Sequence, residues 1–442
     1  MFTLVSASAL ALAVASTGMM GASAGASPST PGVTAKTITI GASVPLSGVA
    51  ASYADVSASA NAVFKYIDKK GGVNGRQIKY IRLDDCYGLA AYGLGCTAGA
   101  STTPLSVNQQ LVAQDHVFAT VGSLGTAAEM SVMSYLKQNA VPQLFVASGS
   151  ISWNQPKAFP DVTGFEPSYV VEGKIFARYI KQHYSTDTIG FIGQNDDLGA
   201  YGLLGVQDGG ITIPSADNLT YNAADAITGS TSDLVADVSA LAANMVPVVV
   251  VFAVPGFTAG ILAIAHQLGY SPQWIISSVG SNPLTVNTPL EANAVTVNYF
   301  PNVNDNADPW IPWLRKVLLA DPTDFPNFTS KSVISYDTLY GASYALAFAE
   351  TLKAEGKNVT RAGFLKKLFS TKLDTPSITP LKYTAGNHQG LQGASISIVT
   401  PNGTSAPIYS TNQGGVFTST QSASSGLTGA ATVIDPIPAW LK

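Results

Sequence analysis

Thr37 to Asp85 reads TITIGASVPLSGVAASYADVSASANAVFKYIDKKGGVNGRQIKYIRLDD, which spells one complete β-loop-α-loop-β unit. Ile38, Ile40 and Val44 stand in a short extended run that stops at Pro45. Ser47 and Gly48 make a loop, and small and apolar residues carry a helix to Ile67. The chain then turns through Gly71 to Gly75, and Ile78 to Leu83 form a second strand. A crossover of that length joins parallel strands, so the segment opens an α/β domain.

The alternation continues downstream. A helix from Leu105 to Gln114 leads to a strand at Val117 to Val121, and the loop Ser123 to Thr126 opens a helix that runs to Asn139. A strand at Gln143 to Ala147 then ends in Ser148-Gly149-Ser150. Further strands are expected at Thr188 to Gly193, Ile211 to Ile213, Val246 to Val251 and Trp274 to Ser277. Helices are expected between them at Tyr201 to Val206, Leu234 to Ala243 and Ala259 to Leu268. The predicted fold class is α/β with two doubly wound, Rossmann-like sheets.

The residues GASVPLSG, Tyr53, DKKGGVNGRQI and LDD resemble the start of the type I periplasmic binding proteins, and among them the branched-chain amino-acid-binding proteins of ABC importers. The similarity extends through VFATVGSLGTAAEMSVMSYLKQNAVPQLFVAS, GFEPSYVVEGKIFARYI and VPVVVVFAVPGFTAGILAIAHQLGYSPQWIISS, from Thr37 to Tyr383. It implies two lobes joined by three hinge crossovers, near Phe159 to Glu166, Asn298 to Asn304 and Thr375 to Tyr383. Lobe one would be 37–164 plus 303–377 and lobe two 165–302 plus 378–416, with 417–442, rich in Ser, Thr, Gly and Ala, as a loosely packed tail. It also implies an extracytoplasmic binding protein that closes on a small polar organic ligand (amino-acid-like, amide, urea-like or carboxylate) and hands it to ABC permease subunits. Two rivals are a ligand-sensing receptor component of the same fold and an exported hydrolase.

The 442 residues allow two cores, and 23 Lys plus Arg against 27 Asp plus Glu offer no footprint for nucleic acid. Between His183 and Leu314 there is no Lys or Arg, while that span holds eleven Asp and Glu from Asp187 to Asp308. One lobe is therefore expected to be acidic. Phe2 to Val14 form an apolar core ending near Ala22-Ser23-Ala24, so residues 1–26 read as a secretory signal, although no cation precedes the apolar run. No cysteine lies near that region, so no lipid anchor is expected, and no segment of the mature chain reads as transmembrane. The expected product is an exported monomer, periplasmic or extracellular. Cys86 and Cys96 are the two cysteines; in an exported chain such a pair reads as a disulfide.

Ligands of open α/β sheets bind beyond the carboxyl ends of strands. Ser123, Gly125 and Thr126 begin a helix whose free N–H groups suit an anion, and Ser148, Gly149 and Ser150 offer hydroxyls and amides beside them. By resemblance these loops hold a ligand carboxylate; the alternative is that Thr126 and Ser150 only cap helices. Tyr53 matches the family's cleft tyrosine, with a core aromatic as the alternative, and Phe257 is a candidate apolar wall from lobe two. Where amino-acid binders of this family carry an acid for the ammonium, this chain has Ser278; a further cleft tyrosine corresponds to Leu198; and the stretch after the first crossover reads Pro167-Ser168-Tyr169. The expectation that follows is a neutral or anionic solute in place of a branched-chain α-amino acid, with Asp196 or Asp197 as the fallback partner. No cofactor, metal set or catalytic motif is expected, since His116, His183, His266 and His388 are isolated and no nucleophile elbow or phosphate loop occurs.

Overall fold

A computed structural model describes residues 30–223, 232–281, 289–401, 407–419 and 426–442. The secretory-signal reading of residues 1–26 lies outside the described residues. The strands are β1 (Thr37–Val44), β2 (Gln77–Asp84), β3 (Thr120–Val121), β4 (Gln143–Val146), β5 (Val162–Gly164), β6 (Ile189–Gln194) and β7 (Asn218–Tyr221). After them come β8 (Val248–Phe252), β9 (Gln273–Ile276), β10 (Val295–Asn298), β11 (Gly393–Pro401), β12 (Pro407–Thr418) and β13 (Thr428–Ala430). The helices used below are α1 (Ala54–Lys69), α2 (Pro104–Ala113), α3 (Thr126–Gln138), α4 (Tyr169–His183), α5 (Asp197–Asp208), α6 (Ser232–Ala243), α7 (Pro255–Gln267), α8 (Trp310–Leu319), α9 (Tyr336–Glu355) and α10 (Arg361–Leu368).

Two sheets result. The first is wholly parallel, in the order β2-β1-β3-β4-β5, and β1 pairs with β2 from Thr37 opposite Gln77 to Val44 opposite Asp84. The second runs β13-β12-β11-β10-β9-β8-β6-β7: five parallel strands extended by the antiparallel β11, β12 and β13. The fold is α/β, as the sequence indicates. Its central strand β8 is VVVVF with every side chain buried, the pattern of a strand covered on both faces. The expected strand at Ile211 to Ile213 is absent; β7 forms instead at Asn218–Tyr221, since Pro214 interrupts the earlier run and Asn-Leu-Thr-Tyr aligns with β6 from Phe191 to Gln194.

The chain passes between the sheets after β5, after β10 and before β11, and these passages are hydrogen-bonded to one another. Gly164 N–H donates to His388 O at 3.0 Å, Leu391 N–H to Phe165 O at 2.9 Å, and Ile378 N–H to Tyr299 O at 3.0 Å. A fourth passage was not expected. The described part of 417–442 is not loose: β13 pairs with β12, Val433 N–H donates to Ile378 O, and the chain returns to the helices of the first sheet. There Trp310 Nε1 donates to Asp435 O at 2.8 Å, Leu441 is fully buried, and Lys353 Nζ sits 5.3 Å from the centre of the Trp440 ring. Composition indicated a solvated tail; the few apolar residues of 433–441 override it by burial.

Candidate functional site

The loops at the carboxyl ends of the strands of both sheets converge on one cavity between the two sides. The first sheet supplies Tyr53, Gly125 and Thr126, and the second supplies Leu198, Val254 and Ser278. Three polar contacts bridge the two sides. Tyr53 OH donates to Val279 O at 2.5 Å, Ser150 Oγ donates to Asp197 Oδ2 at 2.6 Å, and Gln194 Nε2 donates to Tyr87 OH at 3.3 Å.

Of the residues singled out in the sequence, Tyr53, Gly125, Thr126 and Ser278 line the cavity. Gly125 has φ 120°, which favours glycine, and it begins α3 without a side-chain cap. Thr126, the first residue of that helix, pairs its hydroxyl with Ser148 Oγ at 2.8 Å and with Tyr169 OH at 3.3 Å. Ser148 therefore stands behind Thr126 and outside the lining. Ser123 Oγ accepts from Ser43 N–H, so it ties β1 to the loop after β3. A Cβ on Gly149 would meet the Tyr169 ring at 2.6 Å, so its bareness lets that ring reach the cavity. Ser150 caps the short turn 151–153 through Ser152 N–H while holding Asp197. Phe257 packs on Tyr221 with ring centres 5.0 Å apart and does not line the cavity. Leu198 lines it, Asp196 caps α5 through Leu198 N–H, and Asp197 is engaged by Ser150 and Ser152.

Cys86 and Cys96 form a disulfide with Cα atoms 5.7 Å apart. The looped segment places Tyr87, with φ 58°, against Gly125 and over the cavity. Its role as a wall was not visible from cysteine spacing.

The expectation of a neutral or anionic solute rests on Ser278 and Pro167-Ser168-Tyr169 standing where the family carries an acid; the structure places an acid in the cavity from a neighbouring position. Glu166, one residue before Pro167, lines the cavity and is 5% exposed. Tyr340 OH donates to its Oε2 at 2.9 Å, with Tyr299 OH at 3.5 Å, and Gln389 Nε2 donates to its backbone carbonyl. Burial pushes this carboxyl up to about 7, although the hydroxyls of Tyr340, Tyr299 and Tyr169 pull it down. Behind Ser278 lies a second acid, Glu172 on α4. It accepts from Ser278 N–H at 2.5 Å and from Ser278 Oγ at 3.2 Å, and burial raises it to about 8. Asp337 in the first turn of α9 also lines the cavity. Sequence reasoning missed Glu166, Tyr87, Tyr299, Tyr336, Asp337 and Tyr340. A signal existed on α9, where Tyr336, Tyr340 and Tyr344 recur at four-residue spacing on a helix otherwise rich in alanine.

A family model described as "Periplasmic binding protein" matches residues 37–404. Among curated proteins none matches the chain. Among solved structures, a possible leucine/isoleucine/valine-binding protein from Rhodopirellula baltica SH 1 is 18% identical, with TM-score 0.68, over 85% of this chain and 97% of its own. A branched-chain amino acid ABC transporter protein from Thermus thermophilus with bound valine is 15% identical, TM-score 0.68, over 85% and 95%. A solute-binding protein of an ABC transporter from Rhodopseudomonas palustris BisB5, in complex with 3,4-dihydroxybenzoic acid, is 16% identical, TM-score 0.67, over 91% and 99%. At these identities the likeness is one of fold.

Proposed function

The chain belongs to the periplasmic binding protein family, and from that premise we propose that it is the extracytoplasmic capture component of an ABC importer. It closes two lobes on a small organic solute and presents it to permease subunits. The observation that carries this reading is the cavity itself, lined from both sheets and bridged by Tyr53, Ser150 and Gln194. A ligand that touches both walls binds the closed arrangement better than the open one, and only that difference shifts the population. The three passages between the sheets serve as the hinge, with lobe one near 37–164 plus 303–377 and lobe two near 165–302 plus 378–416. Residues 1–26 act as an export signal, and among the described residues no helix is long and apolar enough to cross a membrane. The protein works as a non-catalytic monomer.

The test is a thermal-shift screen of amines, amino acids, amides and carboxylates, followed by calorimetric titration of each compound that raises the melting temperature. Saturable one-to-one binding of a solute, with a smaller radius of gyration in solution scattering, is the expected result. Failure of every solute class to stabilise the protein removes the reading.

A further inference from the structure

The geometry points to an organic cation as the ligand: a small amine whose ammonium sits against the Glu166 carboxylate among tyrosine rings, its hydrocarbon part against Val56, Leu124 and Val254. This rests on the solute-binding reading above and names the class of solute.

Four observations converge on it. First, Glu166 and Asp337 both line the cavity, and among its lining residues there is no Lys, Arg or His. The gap in cations from His183 to Leu314 accounts for the second sheet's share of this, since its lining loops from Leu198 to Phe300 fall inside it. Second, the charges that reach the wall are negative. After burial, the charge influences raising the Tyr299 and Tyr340 hydroxyls come first from Glu166, and those on Tyr53 come from Asp337 and then neighbouring tyrosines and Glu166. A buried carboxylate with hydroxyl donors and no counter-charge is stabilised by an incoming cation and destabilised by an incoming anion. Third, Glu166 lies in an aromatic wall: Tyr340 and Tyr299 hydroxyls reach its carboxyl, and the Tyr299 and Phe300 rings pack edge to face on Tyr340, all three lining the cavity. An ammonium held at the Glu166 carboxylate would stand beside these electron-rich rings, whose faces attract cations. Fourth, of the four hydroxyls assigned by resemblance to a ligand carboxylate only that of Thr126 lines the cavity; the other three are engaged inside the protein. Ser123 serves Ser43, Ser148 serves Thr126, and Ser150 serves Asp197.

The titratable groups that interact with Glu166 are Tyr53 beside α1, Tyr87 in the disulfide loop, Tyr169 and Glu172 on α4, Tyr299 after β10 and Tyr340 on α9, with Asp337 elsewhere in the cavity lining; none is a cation. With its carboxyl raised to about 7, Glu166 changes charge within an accessible range while an alkylamine stays protonated. Affinity for an amine therefore rises with pH up to about 8, and affinity for a carboxylate falls.

The probes are pentylamine, valeramide and valerate, which share chain length and differ in charge, together with leucine, titrated calorimetrically into the full chain. Pentylamine is expected to bind at least tenfold more tightly than valeramide or valerate at pH 8, and to weaken at least tenfold at pH 5.5. Glu166→Gln is expected to remove that preference while leaving any valeramide affinity in place; the wild-type pH profile decides the matter if the variant does not fold. Tighter binding of valerate, valeramide or leucine than of pentylamine overturns the cation and leaves the solute-binding reading standing. Pentylamine binding insensitive to both pH and Glu166→Gln also overturns it. Absence of binding by these probes and by every compound of the wider screen overturns both.

Discussion

Glu129 on α3 is fully buried, with Oε2 accepting from Gln143 Nε2 at 2.8 Å, and burial raises its carboxyl to about 8, with Asp85 adding to the shift. In the unfolded chain the group titrates in the ordinary range near 4.5, so the folded state holds a proton that the unfolded state has released between the two values. Its contribution is fully present below about 4.5 and is lost as pH rises through about 8. Glu129→Gln keeps the acceptor for Gln143 and removes the charge. The variant should match the wild type at pH 4.5 and exceed it by about 1–3 kcal/mol at pH 8.5 in denaturant titrations. Thr126→Ala should weaken binding of an identified ligand by about 1–2 kcal/mol in calorimetry, through loss of a cavity hydroxyl and of the contact that fixes Ser148 and Tyr169. The sequence made Tyr53, Gly125, Thr126 and Ser278 legible because each follows a strand end in a loop of recognisable composition. Glu166 was not legible for a physical reason. A carboxylate at a crossover reads as solvated, and its burial depends on Tyr299 and Tyr340, which lie more than 130 residues downstream.

Helix α9 is buried along almost its whole length and packs on α1, where a Cβ on Gly341 would lie 1.9 Å from Val56 O. That closeness sets the position of Asp337 and Tyr340, which share the helix with Gly341. Gly341→Ala should destabilise the protein by about 2–3 kcal/mol, measured as a lower denaturation midpoint, because backbone atoms must move apart to admit the methyl group. The disulfide acts on another element, the loop that carries Tyr87. A ten-residue separation corresponds to about 2–3 kcal/mol of loop-closure stabilisation, so Cys86→Ser with Cys96→Ser should lower stability by that order. Intact-mass analysis with thiol alkylation checks the starting state, since neither wild-type cysteine should label before reduction. Long periodic elements such as α1 and β8 were legible from spacing alone. β7 was displaced from Ile211–Ile213 because a short Ile-Thr-Ile run ending at a proline cannot show which residues meet β6.

For the molecule as a whole, the sequence conveyed the alternation of strands and helices and thus two doubly wound sheets, without the antiparallel β11, β12 and β13 that extend the second. It hid the strap formed by residues 433–442, because these residues offer little apolar periodicity and their partners Lys70, Trp310 and Lys353 lie far away in the sequence. The strap joins distant parts of the chain: Lys70 Nζ donates to Lys442 O at 2.6 Å, across 372 residues, and Trp310 holds Asp435 O. A chain ending after Ala430 should lose about 2–4 kcal/mol, as expected when Leu441 and its neighbours leave the core, with the emission of Trp310 shifted to the red. There is a kinetic side to this geometry. Lys70, Trp310 and Lys353, in or next to α1, α8 and α9, are all synthesised before residues 433–442, so their contacts with Lys442, Asp435 and Trp440 form only when those residues emerge. Contacts of such separation are slow to close. The first sheet's helices thus make their last contacts only after the second sheet's β12 and β13 have been synthesised, so completion of the two halves is expected to be linked at a late stage.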